Sequence, residues 1–89
     1  GVKEAKANFD VAVYPNPNKG KFNLQLHNLN VPTVEATVTD LLGRVVWQRA
    51  LPVTASQVFE EVALPAVKGM YLLQLKAGAE VVTRKVVVE

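Results

Sequence analysis

Cysteine is missing from all 89 residues. Its absence removes disulfide frameworks, thiolate metal sites, CxxC redox motifs and cysteine nucleophiles together. Isoleucine is missing too, and histidine and serine occur once each. The lone His27 excludes multi-histidine zinc sites. Ser56 is the one candidate for a Ser-His-Asp triad, with His27 and Asp10 or Asp40. It sits in a Thr-Ala-Ser turn with no nucleophile-elbow glycines, so the plain reading is a turn serine. The two aspartates are 30 residues apart and build no D-x-D-x-D loop, which excludes an EF-hand. The glycines are scattered, without the cluster before a helix that a phosphate loop needs. No apolar run approaches the roughly 18 residues that span a bilayer. GVKEAKANF has no apolar h-region, so it does not read as a signal peptide. Gly1 in place of Met suggests a piece of a longer chain.

Charge is balanced. Ten Lys/Arg stand against eight Asp/Glu, for a net +2. They are spread along the chain and form no basic stripe of the kind a nucleic-acid binder carries. Trp47 beside Gln48-Arg49 is the one aromatic–basic juncture, and a core tryptophan is the simpler reading. A hydrophobic fraction of 49% with 20% charge is a folding composition. The length suits one small domain.

Valine, in contrast, occurs 17 times, and β-branched residues favour strands. Phe22, Leu24 and Leu26 alternate with Asn23, Gln25 and His27. Residues 34–39 alternate in the same way. Period two gives strands with one buried and one wet face. Further strands are expected at residues 8–14, 44–50, 57–64, 69–77 and 80–88. Proline, asparagine and glycine clusters separate them, and Gly43 and Gly78 suit tight hairpins. Seven strands without a helical segment indicate an all-β sandwich or barrel; of the two, an immunoglobulin-like antiparallel sandwich of about seven strands is expected. Its expected core is Phe22, Leu24, Leu26, Val38, Val45, Trp47, Val58, Val62, Leu64, Tyr71, Leu73 and Leu75. Residues 1–8 read as a linker or lead-in and 9–89 as the domain.

The remaining polar residues favour structure over chemistry. Glu60 and Glu61 are neighbours on a strand and point to opposite faces, so they cannot share an acid–base site. His27 falls on the wet side of its strand. Pro15 and Pro17 fix φ and donate no backbone hydrogen bond. Asn16, preceding Pro17, is held extended. Gly69 suggests a bend or bulge entering a strand. Tyr71 is expected to bury its ring and send its hydroxyl to a backbone carbonyl. Lys85 interrupts an apolar last strand, which suits an edge facing water or a partner. A terminal edge strand made of Lys85, Val86, Val87, Val88 and Glu89 can be read by strand addition.

Four ordered motifs carry a resemblance. Val13-Tyr14-Pro15-Asn16-Pro17-Asn18-Lys19-Gly20-Lys21-Phe22 resembles the "YPNP" opening of the type A C-terminal sorting domain of the type IX (Por) secretion system of Bacteroidota. Val38-Thr39-Asp40-Leu41-Leu42-Gly43-Arg44-Val45-Val46 is similar to that family's "D-x-x-G" hairpin. Residues 64–73, with Gly69 and Tyr71, resemble its "L-x-x-G-x-Y-x-l" segment. Residues 83–89, with Lys85, resemble its closing strand. Together they cover about residues 13–89.

The resemblance implies a non-catalytic secretion signal. Its partners would be an upstream cargo domain, the outer-membrane translocon and a sortase-like peptidase. The chain would pass through the periplasm and reach the cell surface or the medium. The peptidase would cut in or before residues 1–8 and could attach the cargo to anionic lipopolysaccharide. No cofactor, metal, nucleic acid or membrane insertion is implied, and a monomer is expected. A competing reading is a structural or carbohydrate-binding immunoglobulin-like module, which needs an exposed aromatic platform from Trp47, Tyr14 or Tyr71. An enzyme would need Ser56 or His27.

Overall fold

Alternation of apolar and polar side chains produces seven strands in the computed structural model, which describes residues 8–89. They are β1 (Asp10–Tyr14), β2 (Lys21–His27), β3 (Thr33–Asp40), β4 (Val45–Pro52), β5 (Val58–Ala63), β6 (Gly69–Ala77) and β7 (Glu80–Val88). All pair antiparallel, in a three-stranded sheet ordered β1-β2-β5 and a four-stranded sheet ordered β4-β3-β6-β7. The expected all-β sandwich of two facing sheets is present. The lead-in lies largely outside the described residues. Only Asn8 of it is described, and its backbone N–H and side-chain amide both donate to the Glu80 carboxylate.

The core is the shared inner face of the two layers. Phe22, Leu24 and Leu26 from β2 meet Val34, Ala36 and Val38 from β3, Val58 and Val62 from β5, and Leu73 and Leu75 from β6. Every one of these is buried, as period two requires. Phe9, Leu29, Leu51, Ala77, Val82, Val86 and Val88 join them; these and Val34 and Ala36 lie beyond the set expected from sequence. Two expected core residues are corrected. Val45 is 56% exposed. A register shift between Val38 and Thr39 sets Val45 opposite Thr39 on the outer face, as a bulge does by adding one residue to a strand. Trp47, opposite Val38, faces inward but is only half buried at the rim of β4.

Hairpin chemistry closes the strands. Gly78 has φ 62° at the two-residue turn between Ala77 and Glu80. Another tight turn lies between β4 and β5, where Thr54 and Gln57 exchange backbone hydrogen bonds of 3.0 Å. Its central residues, Ala55 (φ 53°) and Ser56 (φ 62°), are both left-handed, yet neither is glycine or asparagine. A Cβ in that region costs about 1–2 kcal/mol per residue. The pair Ala55→Asn with Ser56→Gly supplies the preferred type I′ sequence. It is expected to raise stability by about 1–2 kcal/mol. An unchanged or lower urea midpoint would contradict the turn assignment.

Candidate functional site

Strand direction gathers the motifs. β1, β3, β5 and β7 end, and β2, β4 and β6 begin, at one end of the sandwich. The β1–β2 connection with Pro15, Asn16, Pro17 and Gly20 lies there. So do the β3–β4 turn with Asp40 and Gly43, the start of β6 with Gly69 and Tyr71, and the close of β7 with Lys85, Val86, Val87, Val88 and Glu89. Residue 8 lies at the opposite end.

The β1–β2 connection runs along the outer edge of β7. Both Tyr14-Pro15 and Asn16-Pro17 are cis. The Asn16 side chain donates to the Lys85 carbonyl (2.8 Å) and accepts from the Val87 N–H (2.9 Å). An amide with one donor and one acceptor thus imitates the next strand's backbone. Asn18 continues the imitation with its own backbone. Its N–H donates to Val87 O and its carbonyl accepts from Glu89 N–H, both at 2.9 Å. Asn18 is 4% exposed, the buried polar residue among those described. Its side chain is satisfied as well: it accepts from Gly20 N–H (2.8 Å) and donates to Pro15 O (3.2 Å). Buried amides require such partners. Sequence reasoning passed over Asn18; an asparagine two residues before a glycine is the Asx-turn signal that could have found it.

Asp40 organises the neighbouring turn. One carboxylate oxygen accepts from the N–H of Leu42 and of Arg44, each at 2.9 Å. The other holds the Arg44 guanidinium at 2.7 Å. Gly43, at φ 82°, turns its N–H back to Asp40 O. The Arg44 N–H holds the Asp40 carboxyl below its ordinary range; partial desolvation opposes this, and the Arg44 side chain and Leu42 N–H reinforce it. A lowered folded-state value stabilises the fold above the unfolded carboxylate range, about pH 4. That stabilisation fades as pH falls through the folded value. Urea midpoints from pH 7 downward are expected to fall less steeply for Asp40→Asn than for the wild type. Parallel profiles would remove Asp40 as an acid-sensitive support.

Tyr71 behaves as expected. Its ring is buried and its hydroxyl donates to Val67 O at 2.7 Å. Gly69 carries the unusual backbone of the expected bend, with φ 157°, but not the bulge. It enters β6 in register with Val88, without a bulge. Between the β3–β4 turn and the β5–β6 loop lies a shallow depression of about 540 Å³. Leu41, Val45, Val67 and Met70 line it, all exposed, with Arg44 and Lys68 also bordering it. Sequence reasoning treated Leu41 and Val67 as turn residues and did not foresee an apolar surface.

The other candidates do not converge. Asp10 lies opposite His27 across β1 and β2, but its carboxylate receives the Asn28 side chain. His27 packs edge-on against Phe59, ring centroids 6.0 Å apart. Ser56 has no hydrogen bond to His27 among the described residues. Glu60 pairs with Arg49, whereas Glu61 is exposed. Tyr71 is buried, Tyr14 lies on the three-stranded sheet, and Trp47 sits on the other sheet near the Arg49 guanidinium, 5.9 Å from the ring centroid. They build no common aromatic platform. No cluster of three or more metal-ligating side chains occurs among the described residues.

Among the described residues the arrangement therefore offers surfaces and a capped strand edge, and brings no catalytic group together with another. No curated protein matches the chain. A family model described as the secretion system C-terminal sorting domain matches residues 12–89, from the middle of β1 through the end of β7. With that span, the chain belongs to the family of secretion system C-terminal sorting domains, a non-catalytic all-β sorting module.

Proposed function

We propose that residues 9–89 act as a folded address that sends an upstream cargo through the Por secretion system to the cell surface. The outer-membrane translocon reads the address in the periplasm. A sortase-like peptidase then severs the cargo in or before residues 1–8. Pro15, Asn16, Pro17 and Gly20 shape the reading end together with Asp40, Gly43, Gly69 and Tyr71. Lys85, Val86, Val87, Val88 and Glu89 supply its strand. The supporting observation is the convergence of all these residues at the end opposite Asn8. The described chain enters the sandwich at Asn8, away from that end.

The finer fold reading is an immunoglobulin-like sandwich. Supporting it are the cross-sheet order β1-β2-β5 and β4-β3-β6-β7 and the tyrosine at the start of β6 that bonds back to the chain four residues upstream. Such a tyrosine corner recurs in sandwiches of that kind.

A reporter fused ahead of the 89-residue chain tests the function in a host carrying the Por secretion system. Surface display is expected with the chain and lost when the loop residues 41–44 and 65–68, which lie between strands at the motif end, are replaced by neutral turns of equal length. Equal display from both fusions would overturn the proposal.

A further inference from the structure

The uncapped part of the β7 edge has the geometry of a strand acceptor. Antiparallel strands point alternate residues toward and away from each neighbour. Asn16 and Asn18 take Lys85 O, Val87 N–H, Val87 O and Glu89 N–H. Odd-numbered residues of β7 therefore face away from β6. The β6–β7 register runs without a shift from Ala77–Glu80 to Gly69–Val88. The N–H groups of Val81, Thr83 and Lys85 consequently point outward, and none has a hydrogen-bond partner among the described residues. Val81 O is likewise without one. Thr83 O meets only the Arg84 guanidinium at 3.2 Å.

The surroundings select a chemistry. Arg84 occupies a core-facing position between buried Val82 and Val86, yet it is exposed. Lys85 beside it is also exposed. Neither joins an ion pair among the described residues. Arg49 stands at the corresponding core-facing place on β4, the other outer strand of this sheet, but pairs with Glu60 of β5. Among the described residues, the β7 edge thus presents backbone donors without acceptors next to two cations outside any ion pair.

The geometry points to β7 as a docking edge on which an extended acidic segment of a secretion-machinery partner adds as a strand along Val81, Thr83 and Lys85, ending against Asn16. Strand addition gives affinity through main-chain bonds and specificity through flanking side chains. The inference rests on the sorting reading and names how the partner holds the domain.

Thr83→Pro tests it. Proline removes an outward N–H and no β6–β7 bond, a place where strands tolerate it. Val81→Pro does the same one pair earlier, and Thr83→Val keeps the N–H. Reporter fusions of all three are compared for surface display, with urea midpoints of the 89-residue variants. Display is expected to fall about tenfold for either proline variant, the loss of one well-made backbone bond, and to persist for Thr83→Val. Benzoylphenylalanine placed at Thr83 of the otherwise wild-type fusion gives a reading that needs no backbone change. Adducts with a translocon component are expected from position 83 and none from position 56, in the turn after β4, the other outer strand of the sheet. Wild-type display by a folded proline variant overturns the proposal and leaves the sorting reading intact. Absence of adducts from position 83 has the same consequence. A wild-type fusion that stays inside the cell overturns the sorting reading itself. A wild-type chain that sediments as a dimer while Thr83→Pro is monomeric assigns the edge to a second copy and overturns the proposal.

Discussion

Removing residues 85–89 is expected to unfold the domain and leave a fused reporter inside the cell envelope. Val86 and Val88 are buried at 0% and 3% exposure. Burial of each valine contributes about 1.5–3 kcal/mol. Their loss also uncovers the start of β6, because Gly69, Met70, Tyr71 and Leu72 pair with Val88, Val87, Val86 and Lys85. Asn16 and Asn18 lose the backbone groups they satisfy, and a buried amide left unpaired costs about 1–3 kcal/mol. A domain of this size holds about 5–15 kcal/mol in total. The deletion removes enough of that to abolish cooperative folding. Near-ultraviolet dichroism and thermal melts of the truncated chain are the direct measurements. A cooperative melt together with normal display would show that residues 85–89, the close of β7, are dispensable both for the fold and for export.

Gly20→Ala is expected to destabilise by about 2–4 kcal/mol, from backbone strain together with crowding. Gly20 has φ 113°, a conformation that side chains rarely adopt. An added Cβ would lie 3.2 Å from Leu64 O and 3.5 Å from Ala66 Cα. The second is ordinary contact, but Leu64 O is a backbone atom at crowded distance, so no rotamer change relieves it. Leu64 N–H also donates to Gly20 O at 2.6 Å, tying the β1–β2 connection to the β5–β6 loop. Gly43 provides the comparison. It too has a positive φ, 82°, but nothing lies within 4 Å of its missing Cβ. Gly43→Ala should therefore show conformational cost alone, about 1–2 kcal/mol. Urea unfolding of the two variants separates the effects. A Gly20→Ala loss no greater than that of Gly43→Ala would mean that the close packing at Leu64 has no energetic weight.

Much of the architecture was legible because alternation is a strong signal when one face is dry. Phe22, Leu24 and Leu26 declare their face without ambiguity. So do Val34, Ala36 and Val38, and Leu73 and Leu75 on β6. Val45 failed because a bulge is a matter of one residue of register, and two adjacent valines do not say which points inward. Trp47 failed because a wide sheet overhangs a narrow one, which composition cannot reveal. Arg49 and Arg84 face the core side of outer strands, against simple alternation, because an edge position lets a long side chain escape to water. The motifs were visible as separate stretches. That they meet at one end follows from strand direction. The role of Asn16 as a substitute strand required knowledge of what lies across from it.

The bonds from Asn16 to Lys85 and Val87 join positions 69 and 71 residues apart. Contacts so distant along the chain form late, since the intervening loop must close first. A polypeptide emerging amino end first can present its opening proline turn early, but that turn has nothing to clasp until the last strand arrives. The clasp thereby works as a seal of completeness. A product cut short during synthesis would carry the opening motif without the strand it clasps, and would lack a finished sandwich.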